Sequence, residues 1–225
     1  MKRLLIAMMA SFMAAPALAQ APAALEVKLG GIESGKPIPD RFAYCAPDGK
    51  DKTKDGGNIN PAISWSEGPA GTKSYAIIAV DRDVPQTFEL ANQDGKIIPH
   101  AFPRQDFYHW VLVDVPANMV GIAEGADSKG KLEGGKPVGP VAYGVSGQND
   151  YVRVFEGSFG GYDGPCPPWN DERLHHYYFI VYALDVPSLG LSGAFGGAYA
   201  EEMMKGHILG KGEALGTYAN KENAH

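Results

Sequence analysis

The chain has 225 residues, with 29 glycines, 17 prolines and a formal net charge of −6 at pH 7. This length fits one domain with a proper core, and the scattered Gly and Pro residues predict many turns. The acidic balance and the lack of a Lys/Arg cluster argue against binding to nucleic acid, which depends on neutralising phosphates.

The first residues are typical of an export signal. Lys2 and Arg3 give a positive start, residues 4–15 are apolar but too short to span a bilayer, and residues 17–19 (ALA) form a small-x-small cleavage site. We expect cleavage after Ala19, which takes the net charge from −6 to −8 because Lys2 and Arg3 leave with the leader. An uncleaved anchor is the alternative. The later sequence predicts no membrane-spanning segment, so we expect a periplasmic or secreted protein with one domain over residues 20–225.

Three runs further along the chain have the pattern of β-strands. They are residues 74–80 (SYAIIAV), 109–115 (HWVLVDV) and 176–184 (HYYFIVYAL). Their β-branched and aromatic residues favour strand over helix. In the second run, Val111, Val113 and Val115 are expected on one face. In the third run both faces are apolar or aromatic, as in a central strand that is covered on both sides.

Helix is scarce in this sequence. Residues 198–205 (AYAEEMMK) form the one good candidate, which Gly206 ends in the manner of a C-cap. Residues 45–61 predict a charged, glycine-rich loop, and residues 86–108 predict a second long loop that is polar and proline-rich. Long loops without their own secondary structure are usually functional or mobile. The pattern indicates a mainly β protein: a β-sandwich with long loops and a small C-terminal helix.

Polar residues that suit a binding site stand at the ends of these strands. Asp81 and Asp83 follow the first run, and their side chains project to the same side if the backbone stays extended. Pro85 restrains the residue before it to extended geometry. A solvated turn is the alternative, because Asp and Pro are common in turns.

Two histidines occupy similar positions. His109 opens the second run, where a capping or core role is the alternative, and His175 precedes the third run. Between them, residues 160–161 (GG) and 164–168 (GPCPP) predict a stiff loop whose glycines let the backbone come close to a ligand. Either His175 and His176 are the polar edge of a core strand, or the loop is the wall of a site and one histidine points into it.

The chain has two cysteines, Cys45 and Cys166. In an exported protein this even count permits one disulfide, and two buried free thiols are the alternative. Two cysteines without CxxC spacing make a poor metal site.

Several short motifs together resemble a known family. They are residues 42–45 (FAYC), 59–65 (INPAISW), 69–74 (PAGTKS), 81–85 (DRDVP), 109–116 (HWVLVDVP), 164–168 (GPCPP), 175–185 (HHYYFIVYALD) and 206–218 (GHILGKGEALGTY). Their order resembles the phosphatidylethanolamine-binding protein family, and most closely its bacterial, Raf kinase inhibitor-like branch. The resemblance covers roughly residues 25–220.

The resemblance implies a β-sandwich with a small pocket that binds anionic head groups such as phosphate. It places these residues at the pocket: Asp81, Asp83, Pro85, His109, Gly164, Pro165, Pro167, Pro168, His175 and Tyr177. Strand alternation favours His175 over His176 as the pocket histidine, because His175 and Tyr177 share a face. The resemblance also puts Cys166 in the pocket wall, where a bond to Cys45 would hold the loop and pre-organise His175.

Three departures from the family pattern bear on the identity of the ligand. Arg82 stands in place of a proline, and His176 stands in place of an arginine. The loop at 86–108 is longer than the link typical of the family, so we expect it to change the cover of the pocket or the access to it.

The leading hypothesis for function is an exported binding protein, not an enzyme, that takes phosphate or a phosphoethanolamine-like ligand without a cofactor or metal. A histidine beside carboxylates gains a proton easily and then donates to a phosphoryl oxygen. The resemblance also suggests inhibition of an envelope protein partner. The alternative is a hydrolase of small phosphoesters, in which two histidines and an aspartate hold Zn²⁺. Against it, the sequence has no HExxH, and residues 144–148 (GVSGQ) lack the last glycine of GxSxG.

Overall fold

The structure, a computed structural model, describes residues 21–49, 52–222 and 224–225. The expected leader at residues 1–19 lies outside them. The described chain has one α-helix, α1 (Gly197–Met204), and two 3₁₀ helices, Asp40–Phe42 and Asp150–Arg153. The strands are β1 (Ala23–Ala24), β2 (Val27–Leu29), β3 (Lys36–Pro37), β4 (Cys45–Asp48), β5 (Lys52–Asp55), β6 (Ile63–Trp65), β7 (Ser74–Pro85), β8 (Arg104–Pro116), β9 (Gly121–Ile122), β10 (Gly139–Val141), β11 (Gly144–Ser146), β12 (His175–Leu184) and β13 (Ile208–Tyr218).

The strands form a large sheet, a small sheet and a hairpin. The large sheet has eight strands in the order β1-β13-β12-β7-β8-β11-β10, with β3 paired to β13. Strands β2, β6 and β9 form the small sheet, and β4 pairs with β5. The long strand β7 is antiparallel to both of its neighbours, so its end lies beside the starts of β8 and β12.

The large sheet is buried on both faces. Trp65 of the small sheet packs in one buried cluster with Phe179 of β12. The next residue, Ile180, points the other way and packs in a second cluster with Ala200 and Met204 of α1. This confirms the prediction of a central strand covered on both sides, within a mainly β fold that has a short helix near its C-terminus.

Two strands reach further than the sequence predicts. Strand β7 continues to Pro85, so the DRDVP segment lies inside the strand and not after it. Strand β8 starts at Arg104, so residues 104–108 do not belong to the long loop. The cause is the pairing of Val84 with Gln105 and of Pro85 with Arg104, which resumes the ladder after a bulge.

One prediction about strand faces is wrong. Val111 and Val113 pack on the α1 side of the large sheet, as expected for one face, but Val115 packs in the core between the sheets. Strand β8 carries an extra residue between Leu112 and Val115, where Asp114 has a φ of 57°. A bulge of this kind shifts the alternation of side chains by one residue.

The loop expected at residues 45–61 contains the antiparallel hairpin of β4 and β5. Its strands are short and mostly not buried, so they lack the apolar alternation that predicts a strand. The helix lies within one residue of its predicted bounds, and Gly206 just beyond it has a φ of 84°, the left-handed conformation that ends helices. None of the helices described is long and apolar enough to cross a membrane.

Candidate functional site

A cavity of about 290 Å³ opens at the end of the large sheet, close to where β7 ends and β8 and β12 begin. Its size is near the lower end of ligand pockets, about 300 Å³. Polar residues from the three strands form the floor, and loops form apolar walls. The lining residues are Asp81, Val84, Phe88, Ala91, Asn92, Phe107, His109, Tyr151, Val154, Phe155, Cys166, Pro167, Pro168, His175 and Tyr177.

His175 is enclosed between two carboxylates. Its Nδ1 lies 2.7 Å from Asp81 Oδ2 and its Nε2 lies 3.2 Å from Asp171 Oδ2. Carboxylates only accept, so both ring nitrogens donate and the ring is an imidazolium. Burial alone would lower the pKa of His175, but the charges and hydrogen bonds of Asp81 and Asp171 raise it to about 9. Because both N–H groups are used by the protein, His175 does not have the expected role of donor to a ligand.

Arg104 completes a charge-balanced network behind His175. Its Nη1 and Nη2 donate to the two carboxylate oxygens of Asp171 at 2.5 and 2.9 Å. Burial alone would raise the pKa of Asp171, but the hydrogen bonds from His175 and Arg104 lower it below its usual value. Two carboxylates, one imidazolium and one guanidinium thus sum to zero charge, and all four side chains are at most 8% exposed. Burying charges is tolerable when they are paired and hydrogen-bonded in this way.

His109 is held from one side only. Its Nδ1 lies 2.7 Å from the Asp163 carbonyl oxygen, which accepts, so Nδ1 carries the hydrogen. Its Nε2 is buried and has no hydrogen-bond partner among the residues that the structure describes. Burial lowers the pKa of His109, and the charge of Asp81 opposes this only in part. At neutral pH the ring is therefore uncharged, and Nε2 has a lone pair that meets no donor in the described chain.

Asp163 fixes the position of His109 through the backbone. Besides accepting from the His109 ring, it donates its own N–H to the His109 carbonyl oxygen at 3.0 Å. Its carboxylate is held by Asn58 at 2.7 Å, Lys136 at 2.6 Å and Asn149 at 2.8 Å. The imidazole is thus oriented by a saturated polar cluster on the side away from the cavity.

Tyr177 adds a second unpaired polar atom to the floor. Its hydroxyl is buried, close enough to Asp81 to feel its charge, and not in hydrogen-bond geometry with any group in the described chain. Burial, and then the charge of Asp81, raise the pKa of Tyr177 well above its usual value, so the hydroxyl stays protonated. Burial would likewise raise the pKa of Asp81, but the charge of His175 lowers it, so Asp81 is ionised.

The proline-rich loop forms one wall, as the sequence predicts, but not all of its residues reach the cavity. Pro167 and Pro168 line it, whereas Gly164 and Pro165 lie behind. A Cβ on Gly164 would overlap the carbonyl oxygen of Phe42, so only glycine fits there. The Pro165 carbonyl accepts from two backbone N–H groups of the neighbouring chain segment, at 2.8 and 3.2 Å, which fixes the loop from outside.

A disulfide joins this wall to the hairpin. Cys45 at the start of β4 and Cys166 in the loop are bonded, with Cα atoms 5.0 Å apart. Cys166 also lines the cavity. The bond therefore restrains the wall beside the two prolines.

Asp83 and Pro85 do not face the cavity. The bulge between Asp81 and Val84 breaks the expected i, i+2 alternation, so Val84 lines the cavity in place of Asp83. The Asp83 carboxylate accepts from His176 Nδ1 at 2.8 Å and pairs with Arg173 Nε at 2.8 Å. Pro85 ends β7 and is buried outside the cavity lining.

The departures noted in the sequence have separate consequences. Arg82 lies over the ring of Tyr178, 4.5 Å from its centroid, and does not line the cavity. The segment from residue 86 to 103 does: it supplies Phe88, Ala91 and Asn92 to the wall. The long loop is thus one wall of the pocket.

Three residues of the site were not predicted from the sequence: Arg104, Asp163 and Asp171. Asp171 lies four residues before His175, and Asp163 directly precedes the GPCPP motif, so their positions beside these motifs could have identified them. Arg104 is 67 residues from Asp171, and no pattern in the sequence links the two. In the described ranges, no group of three or more His, Cys, Asp or Glu residues is arranged to hold a metal ion.

The fold and the site together define the class of the protein: it is a mainly β protein with a small pocket of Asp, His and Pro residues at the end of its large sheet. The sequence profile of the phosphatidylethanolamine-binding protein family matches residues 31–219. The chain belongs to this family, and this confirms the resemblance of its motifs.

Similar proteins come from diverse bacteria. The chain is 32% identical to a UPF0098 protein of Aquifex aeolicus over 196 residues, which cover 87% of this chain and 89% of that protein. It is 27% identical to the UPF0098 protein YbcL of Escherichia coli over 222 residues, which cover 98% of this chain and 100% of YbcL.

Solved structures share the fold. The crystal structure of E. coli YbcL, described as a new member of the mammalian PEBP family, matches with a TM-score of 0.63 and 25% identity, over 88% of this chain and 99% of that chain. CT736 of Chlamydia trachomatis, a putative PEBP homologue, matches with a TM-score of 0.60 and 27% identity, over 87% and 97%. The family is named for binding and not for catalysis, in agreement with the leading hypothesis.

Proposed function

We propose that this chain is an exported binding protein whose cavity takes a small anionic ligand, either phosphate or a phosphate-bearing head group. The observation that carries the proposal is that two residues of the cavity lining, His109 and Tyr177, each have a buried polar atom without a hydrogen-bond partner in the described chain, Nε2 and the hydroxyl. A buried polar atom without a partner costs free energy, and an oxygen of a ligand removes that cost. Two such atoms in residues that line one cavity suit a compact, oxygen-rich group that enters between them.

The charges around the floor define how an anion binds. Asp81 is neutralised by His175, so it does not repel a ligand as a lone carboxylate would. The Asp163 carbonyl keeps the hydrogen of neutral His109 on Nδ1. Nε2 therefore either accepts from an acidic P–OH group or takes up a proton and donates to a phosphoryl oxygen. In both arrangements one proton lies between His109 and the ligand, so binding of a phosphate dianion is coupled to uptake of one proton.

Calorimetric titration of the mature protein with phosphate and with phosphoethanolamine tests this proposal. We expect binding whose affinity falls about tenfold per pH unit above the second pKa of the ligand, which is about 6 for a phosphate ester such as phosphoethanolamine and higher for inorganic phosphate. His109→Ala is expected to abolish binding, and Tyr177→Phe to weaken it about 3- to 10-fold through loss of one hydrogen bond.

His176→Ala is the matched control, because His176 is the adjacent histidine of β12, is 39% exposed and bonds Asp83 outside the cavity. This variant should bind like the wild type. Unchanged affinity in His109→Ala would refute the assignment of the pocket.

Export is part of the proposal and is supported by residues 1–19 of the sequence. A disulfide also suits an oxidising compartment. The mass of the protein from a periplasmic fraction should correspond to a chain that begins at Gln20. An intact chain in the cytoplasmic fraction would contradict export. The envelope protein partner that the resemblance suggests is tested by pull-down from an envelope fraction, with His109→Ala as the comparison.

A further inference from the structure

We propose that Cys166 is a site of reversible S-thiolation, at which a small alkyl thiol enters the cavity and opens the disulfide to Cys45. This inference adds a covalent modification site to the cavity wall and does not depend on the proposed function. It rests on the different surroundings of the two sulfur atoms. The rate of thiol–disulfide exchange depends on which sulfur is accessible to attack and on which thiol leaves.

The two cysteines differ in access from the cavity. Cys45 is only 5% exposed and does not line the cavity, whereas Cys166 lines it and is half-buried. The side chain of Cys166 packs against a buried cluster of which three members also line the cavity: Val84, Phe107 and Tyr151. A cavity of about 290 Å³ has room for about ten water-sized groups, and β-mercaptoethanol has only about four non-hydrogen atoms. A thiol of this size therefore meets Cys166 before it meets Cys45.

Cys45 has the surroundings of a leaving group. The side-chain amide of Asn220 donates to Cys45 Sγ at 3.1 Å and to the Pro167 carbonyl oxygen at 2.7 Å. Because a carbonyl oxygen only accepts, the bond to Pro167 fixes the nitrogen end of this amide towards the sulfur. A hydrogen-bond donor stabilises a thiolate, and a better stabilised thiolate leaves faster. Attack at Cys166 with departure of Cys45 is therefore the favoured direction of exchange.

The exchange needs no reactant other than the small thiol. Its thiolate attacks Cys166 Sγ and forms a new S–S bond there. The bond between Cys166 and Cys45 breaks, its electron pair goes to Cys45 Sγ, and the resulting thiolate accepts from Asn220. Attack by this thiolate on the mixed disulfide expels the small thiol as a thiolate and restores the original bond, so the modification is reversible. While it lasts, the added group occupies part of the cavity.

The proline-rich loop does not depend on the disulfide alone for its position. The Pro165 carbonyl oxygen accepts from the N–H groups of Tyr44 and Cys45, at 2.8 and 3.2 Å. The Pro167 carbonyl oxygen accepts from Asn220. We expect these hydrogen bonds to keep the two sulfur atoms near each other after exchange. The modification then forms and reverses in the folded protein.

The first test maps the modified cysteine. The oxidised protein without residues 1–19 is treated with less β-mercaptoethanol than full reduction needs, quenched with iodoacetamide, digested with trypsin and analysed by mass spectrometry. We expect the mercaptoethanol adduct on Cys166 and the alkyl group from iodoacetamide on Cys45. An adduct mainly on Cys45, or equally on both, overturns the inference. Exchange that occurs only after unfolding in urea also overturns it.

The second test measures the contribution of Asn220. Asn220→Leu should slow formation of the adduct about 3- to 10-fold, because the leaving thiolate loses a hydrogen bond. A looser loop would raise the rate, so loss of loop stability does not explain a fall. Tyr218→Phe is the matched control, because the Tyr218 hydroxyl donates to the Cys45 carbonyl oxygen at 3.0 Å and not to the sulfur. It should leave the rate unchanged. A rate for Asn220→Leu that equals or exceeds that of the wild type would overturn the inference.

Discussion

His175 and His109 line the same cavity and are both buried, yet they differ in what their second ring nitrogen contacts. Both nitrogens of His175 donate to carboxylates, so its charge is fixed by Asp81 and Asp171. His109 has one nitrogen on the Asp163 carbonyl and the other without a protein partner in the described chain. The first histidine holds the floor together, and the second keeps a nitrogen without a protein partner, which under the proposed function meets the ligand. Burial alone does not distinguish these roles, whereas the partner of the second nitrogen does.

The largest expected effect comes from removing the disulfide between Cys45 and Cys166, which restrains the wall beside both histidines. Cys45→Ala with Cys166→Ala should lower the free energy of unfolding by about 4–5 kcal/mol, because the bond closes a long loop, with a sequence separation of 121 residues. The difference in pH dependence between His175 and His109 should remain in this variant, because it depends on their hydrogen bonds and not on the disulfide. Urea unfolding of wild type and variant at several pH values measures both quantities. Two titratable thiols per chain in the denatured, unreduced protein would contradict the disulfide.

The next effect compares the two histidines directly. His175→Ala leaves Asp81 and Asp171 buried without their shared cation, and breaking such a pair costs about 3–5 kcal/mol of stability. His109→Ala removes one hydrogen bond beside an existing cavity and should cost about 1–2 kcal/mol. Urea unfolding at pH 7 measures both. Equal costs for the two substitutions would mean that the carboxylates do not depend on His175.

The last expected effect is smaller than the loss of the disulfide, and it gives the two histidines opposite pH dependence. The pKa of His175 is about 9 in the folded protein and about 6.5 in the unfolded chain. Its contribution, about 3 kcal/mol, is therefore complete below pH of about 6.5 and is lost as the pH rises to about 9. The folded-state pKa of His109 is lowered, so His109 costs stability as the pH falls below about 6.5.

Urea midpoints measured from acid to alkaline pH test this prediction. His109→Gln should weaken the fall in stability just below pH of about 6.5 and leave the alkaline fall in place. A variant that lost the alkaline fall instead would reverse the assignment of the two histidines. The pKa values of Asp81 and Asp171 are lowered, so their loss of stability begins only at more acidic pH, below about 4.

The long strands and the helix were predictable because their signals are local, whereas the pocket histidines were identified through the resemblance to the family. Alternation in β12 gave both its burial and the orientation of His175 and Tyr177, and the GPCPP motif marked a wall. The bulges were not predictable, because an extra residue in a ladder depends on the partner strand. One of them placed Val84 in the cavity in place of Asp83.

The hydrogen bonds between charged side chains could not be predicted either, because their partners are distant in the sequence. Arg104 pairs with Asp171, and Asn58 pairs with Asp163 across 105 residues of chain, so no spacing in the sequence relates them. The β4–β5 hairpin was missed because its strands are short and lack the alternation of buried apolar and exposed polar residues that predicts a strand. Sequence patterns predict burial and turns well. The hydrogen-bond partners of polar side chains can be identified only once the fold is known.

Asn170 anchors the segment of residues 86–103 that forms one wall of the cavity, and this bears on how the protein can change over time. The hydrogen bonds of Asn170 go to backbone groups of Leu90, Asn92 and Lys96, so they do not depend on the side chains of Phe88 or Ala91. Substitutions at those two positions therefore leave the anchor and the ion network intact. Under the proposed function, ligand preference can drift by single changes in this segment without loss of folding, and the same positions are the natural choice for a laboratory library that seeks new ligands.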